Sequence, residues 1–187
     1  MLEYNLVVLR GVFMAAFENI YPFTTECISG YMEDLNVGGK SVLTVGSSGD
    51  QAYNAYLYGA SNVTVYDINK NSKSFIDVKS DILCDSSDRR EFYYRVLDDK
   101  RFSYTSNEIF CFKSLCLMNA YMRDEDCFKK LQNRMIVNEV NFILGDVFHM
   151  DRDLGDKSFD IINLSNVLQY YKPKSMDRTV IRKELLD

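Results

Sequence analysis

The stretch Ser41-Val42-Leu43-Thr44-Val45-Gly46-Ser47-Ser48-Gly49-Asp50-Gln51 leaves this chain few folds to choose from. A five-residue apolar β-run passes into a tight Gly/Ser turn and then into residues that suit the opening of a helix, predicted over 50–58 and capped by Gly59. A second β-run, Val63-Thr64-Val65-Tyr66, follows and ends in Asp67. A strand, a glycine turn, a helix and a strand ending in an acid form the arrangement with which a parallel α/β sheet holds the adenosine part of a cofactor.

The rest of the chain is read against that unit. Leu2, Leu6, Leu9, Phe13 and Phe17 recur near helical spacing, which predicts an amphipathic helix over 2–20, stopped at Tyr21-Pro22. Thr24-Thr25-Glu26 suits the start of a second helix with Ile28, Tyr31, Met32 and Leu35 on its buried face, ended by Gly38-Gly39. A further helix is expected from Asn69 to about Lys79. Residues 84–135 have helical periodicity and exceed what a minimal crossover needs, so they read as a helical insertion. Two roles stay open for it: a cap over the cofactor cleft, or a packed helical layer. Val140 to Leu144 reads as a third strand followed by Gly145-Asp146. Phe159 to Leu164 reads as a fourth, apolar enough for burial on both faces. Beyond Pro173, residues 175–186 suit a last amphipathic helix.

Composition removes some function classes. Hydrophobic residues make up 47% of 187, enough to build one real core, and a single domain over 1–187 is expected. The net charge of -5 with no clustered basic face argues against a nucleic-acid partner. The N-terminal segment carries Glu3, Arg10 and Glu18, which interrupts any transmembrane run, and a cytoplasmic protein is the reading. Five cysteines, Cys27, Cys84, Cys111, Cys116 and Cys127, form no CxxC and have no histidine at metal-ligand spacing. They read as buried, reduced thiols with no metal site.

Within the turn, Gly46 permits close backbone approach and Gly49 a sharp entry into the helix. Asp50 stands where a pyrophosphate would need the helix N-terminus, and a carboxylate there repels phosphate while suiting an ammonium and a sulfonium. It also suits a helix cap. That favours S-adenosylmethionine over NAD or FAD. Asp67 is placed to accept two hydrogen bonds from ribose hydroxyls, and Asp146 one from an adenine amino group. Val42–Gln51, Asp67, Gly145-Asp146 and the run Phe159-Asp160-Ile161-Ile162-Asn163-Leu164-Ser165-Asn166-Val167-Leu168 resemble the successive motifs of class I S-adenosylmethionine-dependent methyltransferases, over roughly residues 40–175. Val42–Gln51 and Tyr66-Asp67-Ile68-Asn69 further resemble the group similar to enzymes that move the 3-amino-3-carboxypropyl arm of that cofactor onto diacylglycerol, and Glu91-Phe92-Tyr93 is more weakly reminiscent of it.

The resemblance implies a Rossmann-like doubly wound parallel sheet of class I methyltransferase type, abbreviated at the C-terminus, with N-terminal helices over 1–40 and the insertion between its second and third strands. It implies S-adenosyl-L-methionine as cofactor, held by Gly46, Ser47, Ser48, Gly49, Asp50, Asp67, Ile68, Asp146, Val147 and Asn163. Asn163, Ser165 and Asn166 would face the transferable group, and His149, the single histidine, is the candidate base. The sequence departs from the family where Thr44 replaces a cofactor-binding acid and where Ser48 and Asp50 replace glycines. Asp50 is expected to take over the missing acid's work. The expected activity is transfer of a methyl group to a small-molecule acceptor. The alternatives are aminocarboxypropyl transfer, or a non-catalytic binding module that needs a partner. With only four strands expected, a second copy or a partner covering the last strand's edge is a further expectation.

Overall fold

In the computed structural model, which describes residues 8–9, 12–13, 17, 20–102, 110–165 and 167, alternate β-branched and apolar residues build a four-stranded, all-parallel sheet. Its strands are β3 (Ser41–Val45), β4 (Asn62–Asp67), β5 (Asn141–Leu144) and β6 (Ile161–Asn163), in the order β5-β4-β3-β6. The short strands β1 (Val8–Leu9) and β2 (Val12–Phe13) form a separate antiparallel pair. In the parallel sheet, Val42 pairs with Val63 and Ile161, and Val65 pairs with Thr44 and Phe142. The chain steps outward from β3 through β4 to β5, then crosses back to place β6 on the other side of β3. That reversal opens a crevice at the carboxyl ends of the strands, where ligands of open α/β sheets bind.

Six α-helices accompany the sheet among the described residues: α1 (Asp50–Leu57), α2 (Ser72–Asp85), α3 (Arg89–Asp98), α4 (Phe112–Met118), α5 (Glu125–Met135) and α6 (Met150–Leu154). Every residue of α1 is buried, because β3 and β4 touch it on one side and α5 on the other. Val42, Val63 and Val65 share one core with Tyr53 and Tyr56 of α1, Phe75 and Leu83 of α2, Phe92 of α3 and Phe128 and Leu131 of α5. The α3 and α5 helices begin at side-chain caps. Asp88 accepts from the N–H groups of Arg90 and Glu91 (2.7 and 2.9 Å), and Asp124 accepts from that of Cys127 (2.8 Å). The insertion is therefore helical, and it serves as a packed third layer. None of its described residues lines the cavity at the strand ends.

Several expectations are corrected. A helix over 2–20 does not form through Val8–Leu9 and Val12–Phe13, which pair as β1 and β2. Valine at 7, 8 and 12 with Gly11 between them is poor helix material, and it outweighs the spacing of the larger apolar residues. Over 24–35 there is one 3-10 turn, Ile28–Gly30, followed by helical turns with Met32 N–H donating to Ile28 C=O (3.0 Å). Gly30 weakens a longer helix there, although Ile28 and Met32 are buried as expected. The strand at 161–163 is not buried on both faces, since Ile162 is 53% exposed. None of the five cysteines is buried, and all are free. The helix expected at 175–186 lies outside the described residues. No helix among the described residues is long and apolar enough to cross a membrane.

Candidate functional site

The turn after β3 is closed by its own backbone. Gly46 N–H donates to Tyr66 C=O (3.2 Å) and Gly49 N–H donates to Gly46 C=O (2.8 Å). Gly49 has φ +78° and directly precedes α1, a conformation for which glycine carries no Cβ penalty. Gly46 is required for a different reason: a Cβ there would overlap the carboxylate of Asp67. That carboxylate lies against the turn and organises it. Its Oδ2 accepts from Ser47 N–H (2.9 Å) and Ser72 Oγ (2.9 Å), and its Oδ1 accepts from Asn69 N–H (2.8 Å). Ser47 is held at φ +42°, a left-handed conformation costly for a non-glycine residue. A carboxylate offers about four acceptor positions. With three filled by the protein, Asp67 has one left for a ligand hydroxyl, where the sequence reading assigned two.

Asp50 does not face the cavity. Its side chain is fully buried and ion-paired with the fully buried Lys79 (2.6 Å). Tyr121 Oη donates to the same oxygen (2.6 Å), and the other oxygen accepts from Thr24 N–H (2.5 Å) and Ser48 Oγ (3.0 Å). Lys79 Nζ also donates to Ser48 C=O (2.9 Å) and sits 4.5 Å from the Phe23 ring centroid and 5.4 Å from that of Tyr53. Burial pulls the lysine's pKa down and Asp50 pulls it back up, with burial the larger influence. The work of the missing family acid therefore does not pass to Asp50. Its carboxylate ties the turn, the 24–26 segment, α2 and the insertion to one point. Three more buried polar contacts lie close by. Thr44 Oγ1 donates to Gln51 Oε1, and Asn54 donates to Asn119 Oδ1 (2.9 Å) and accepts from Ala120 N–H (2.9 Å).

Burial raises the pKa of Tyr53 and of Tyr121 well above 10, and for Tyr121 the adjacent Asp50 adds to the rise. The sign follows: the folded state holds these protons where the unfolded state releases them, so stability is full below pH 10 and is lost as pH climbs above it. In an absorbance titration, Tyr53 and Tyr121 should ionise only as the protein unfolds, after other tyrosines of the thirteen have ionised reversibly. A single reversible step for all of them with the fold intact would contradict this burial.

The cavity, of ≈ 690 Å³, lies across the carboxyl ends of the strands. Gly46, Ser47, Ser48, Asp67, Ile68, Asp146, Val147 and Ser165 line it, so the structure brings these expected site residues together. Asp146 accepts from Phe148 N–H (3.1 Å) through one oxygen. Tyr66 Oη shares its one proton between the Asp146 backbone carbonyl (2.8 Å) and the Asp153 carboxylate (2.7 Å), so β4 pins the loop that carries Asp146. Gly49, Asp50, Asn163 and His149 do not line the cavity. Asn163 instead accepts from Ser165 N–H (3.1 Å) below the site, and Ser165 takes φ +53°. His149 is exposed at the end of the Val147–His149 turn. Asn166 lies outside the described residues.

Sequence reasoning missed two contributors, the segment 21–26 and Lys79. Tyr21, Thr24, Thr25 and Glu26 form one wall of the cavity, whereas Thr24–Glu26 reads as a helix start. The Glu26 carboxylate accepts from Ser165 Oγ (2.5 Å), joining the N-terminal segment to the end of β6. Lys79, an ordinary lysine in a polar helix, gave no signal at all. The charged side chains lining the cavity are Glu26, Asp67 and Asp146, with no lysine or arginine among the described residues. These three acids are spread along the cavity: no group of three His, Cys, Asp or Glu side chains among the described residues could hold a metal ion.

Among the described residues, a parallel four-stranded sheet, six α-helices and a cavity over the strand ends define an α/β protein whose architecture is compatible with a Rossmann-like fold. None of the protein-family models, curated proteins or solved structures compared with the chain matches it.

Proposed function

We propose that this cavity binds S-adenosylmethionine and that the chain is a transferase using it, a methyltransferase acting on a small-molecule acceptor. One observation carries the reading: the cavity is walled by three carboxylates and no basic side chain among the described residues. A pyrophosphate would meet repulsion there and few donors, because the N–H groups of Gly46, Ser47 and Gly49 are already committed to Tyr66, Asp67 and Gly46. A nucleoside bearing an ammonium and a sulfonium meets charges of the opposite sign.

In this reading the open acceptor position of Asp67 takes a ribose hydroxyl, and Asp146 takes the adenine amino group. Ile68, 71% exposed, and Val147 offer the base its apolar contacts. The bound sulfonium supplies an electrophilic carbon. The protein contributes orientation and exclusion of water, and displacement at such a carbon depends chiefly on those. Ser165, two residues beyond β6, is a described residue beside the expected acceptor position. The exposed position of His149 favours, as a second reading, a module that binds the cofactor without turnover.

Calorimetric titration tests the proposal. S-adenosylmethionine and S-adenosylhomocysteine should bind and NAD should not; binding of NAD alone, or of none of the three, would overturn it. Product analysis with cofactor labelled in the methyl group or in the aminocarboxypropyl arm then shows which carbon is transferred.

A further inference from the structure

We propose that Glu26 is the residue that recognises the ammonium group of the bound nucleoside, doing the work that Asp50 cannot do. This rests on the reading of the cavity as an S-adenosylmethionine site.

The three carboxylates of the cavity occupy different places along the sheet edge. Asp146 follows β5 and Asp67 ends β4, while Glu26 is joined to Ser165 just beyond β6. In the order β5-β4-β3-β6, the Glu26 carboxylate therefore stands on the far side of the glycine turn from the other two. Strands lie about 4.8 Å apart, so the interval from β5 to β6 is roughly 14 Å. That suits an elongated ligand with a nucleoside at one end and a positive charge at the other. Ser165 engages one carboxylate oxygen of Glu26, and no described basic side chain of the cavity neutralises it. It is half-buried, where an ammonium would be attracted more strongly than in open water.

The placement of Glu26 is built into the fold. Thr24 N–H donates to the buried Asp50 carboxylate (2.5 Å), and Glu26 N–H donates to Thr24 Oγ1 (3.0 Å). Asp50, itself held by Lys79 and Tyr121, thus anchors the segment that carries Glu26 to the cavity. The acid at the head of α1 positions, and the acid three residues beyond Phe23 makes the contact.

The test compares Glu26→Gln with the unaltered protein by calorimetry, using three nucleosides. S-adenosylmethionine and S-adenosylhomocysteine both carry the ammonium; 5′-methylthioadenosine lacks the whole arm. Glu26→Gln keeps the size of the side chain and a hydrogen-bond acceptor for Ser165. The expected result is about a tenfold loss of affinity for the first two and unchanged affinity for 5′-methylthioadenosine. Equal weakening of all three would show a structural role and overturn the assignment. Weakening of S-adenosylmethionine alone would assign the contact to the sulfonium, and no weakening would remove Glu26 from recognition. If the unaltered protein binds none of the three, the reading of the cavity fails and the assignment falls with it. If it binds all three and the variant behaves identically, only the assignment fails.

Discussion

Lys79→Met should lower the stability of the protein by about 3–5 kcal/mol, the cost of leaving one member of a buried ion pair without its partner. Asp50 and Lys79 are both fully buried, and both side chains touch several elements of the fold. In Lys79→Met the Asp50 carboxylate keeps Tyr121, Thr24 and Ser48 as donors but loses its counter-charge. Asp50→Asn leaves the complementary problem, an ammonium among the rings of Phe23, Tyr53 and Phe75. Removing both charges should cost clearly less than the sum of the single substitutions, because neither is then left alone. Urea denaturation of the four proteins measures this coupling. Strict additivity would mean that the two groups do not act as a pair.

The same pair sets a pH dependence. In Asp50→Asn, burial lowers the Lys79 pKa with no carboxylate opposing it. The unfolded chain then binds the lysine proton at pH values where the folded chain releases it. The stability of that variant should therefore rise as pH increases toward the unfolded value of 10.5. A flat or falling profile below that pH would argue against a buried Lys79.

The second large effect concerns the turn. Gly46→Ala should cost about 2–3 kcal/mol, since its Cβ would overlap the Asp67 carboxylate and force an overpacked site to shift. Asp67→Ala should cost about 2 kcal/mol, because Ser47, Asn69 and Ser72 lose their common acceptor. Either change should also weaken nucleoside binding by tenfold or more. The double variant shows how much of the clash belongs to the carboxylate: alanine at 67 removes the carboxyl group but keeps a Cβ 2.8 Å from the added methyl, so the double variant should lose somewhat less than the sum of the two single losses. Thermal unfolding and calorimetric titration of the single and double variants provide both readouts. A Gly46→Ala protein as stable as the original would show that Asp67 does not lie on the turn.

Much of the parallel sheet was legible because its signals are local. The apolar run of β3, the glycine turn and the acid ending β4 each announce themselves within a few residues. The helices of the insertion follow from the 3.6 period, and the structure adds their caps at Asp88 and Asp124. The N-terminal segment was misread where two local signals disagreed. Large apolar residues kept helical spacing, yet valines beside Gly11 favoured the extended pair that formed. At 24–35 residues suited to a helix start were followed within a few positions by Gly30, and only a short helical turn forms.

The site divides along the same line. Glycine at 46 and 49, serine at 47 and acids at 67 and 146 were recognisable from their places at strand ends, because in a parallel sheet those ends converge. The fate of Asp50 was not recognisable. Nothing within its own helix shows that α1 would be buried all round, or that Lys79, twenty-nine residues later, would supply its counter-charge. Nor does sequence spacing show that Glu26 would meet Ser165 across 139 positions. By itself, then, the sequence determined the strand–turn–helix unit and the carboxylates at its strand ends, since those depend on backbone periodicity and on glycine. Only the tertiary structure decided which acids face the cavity and which are neutralised in the core, because that depends on the partners packing brings within hydrogen-bond reach.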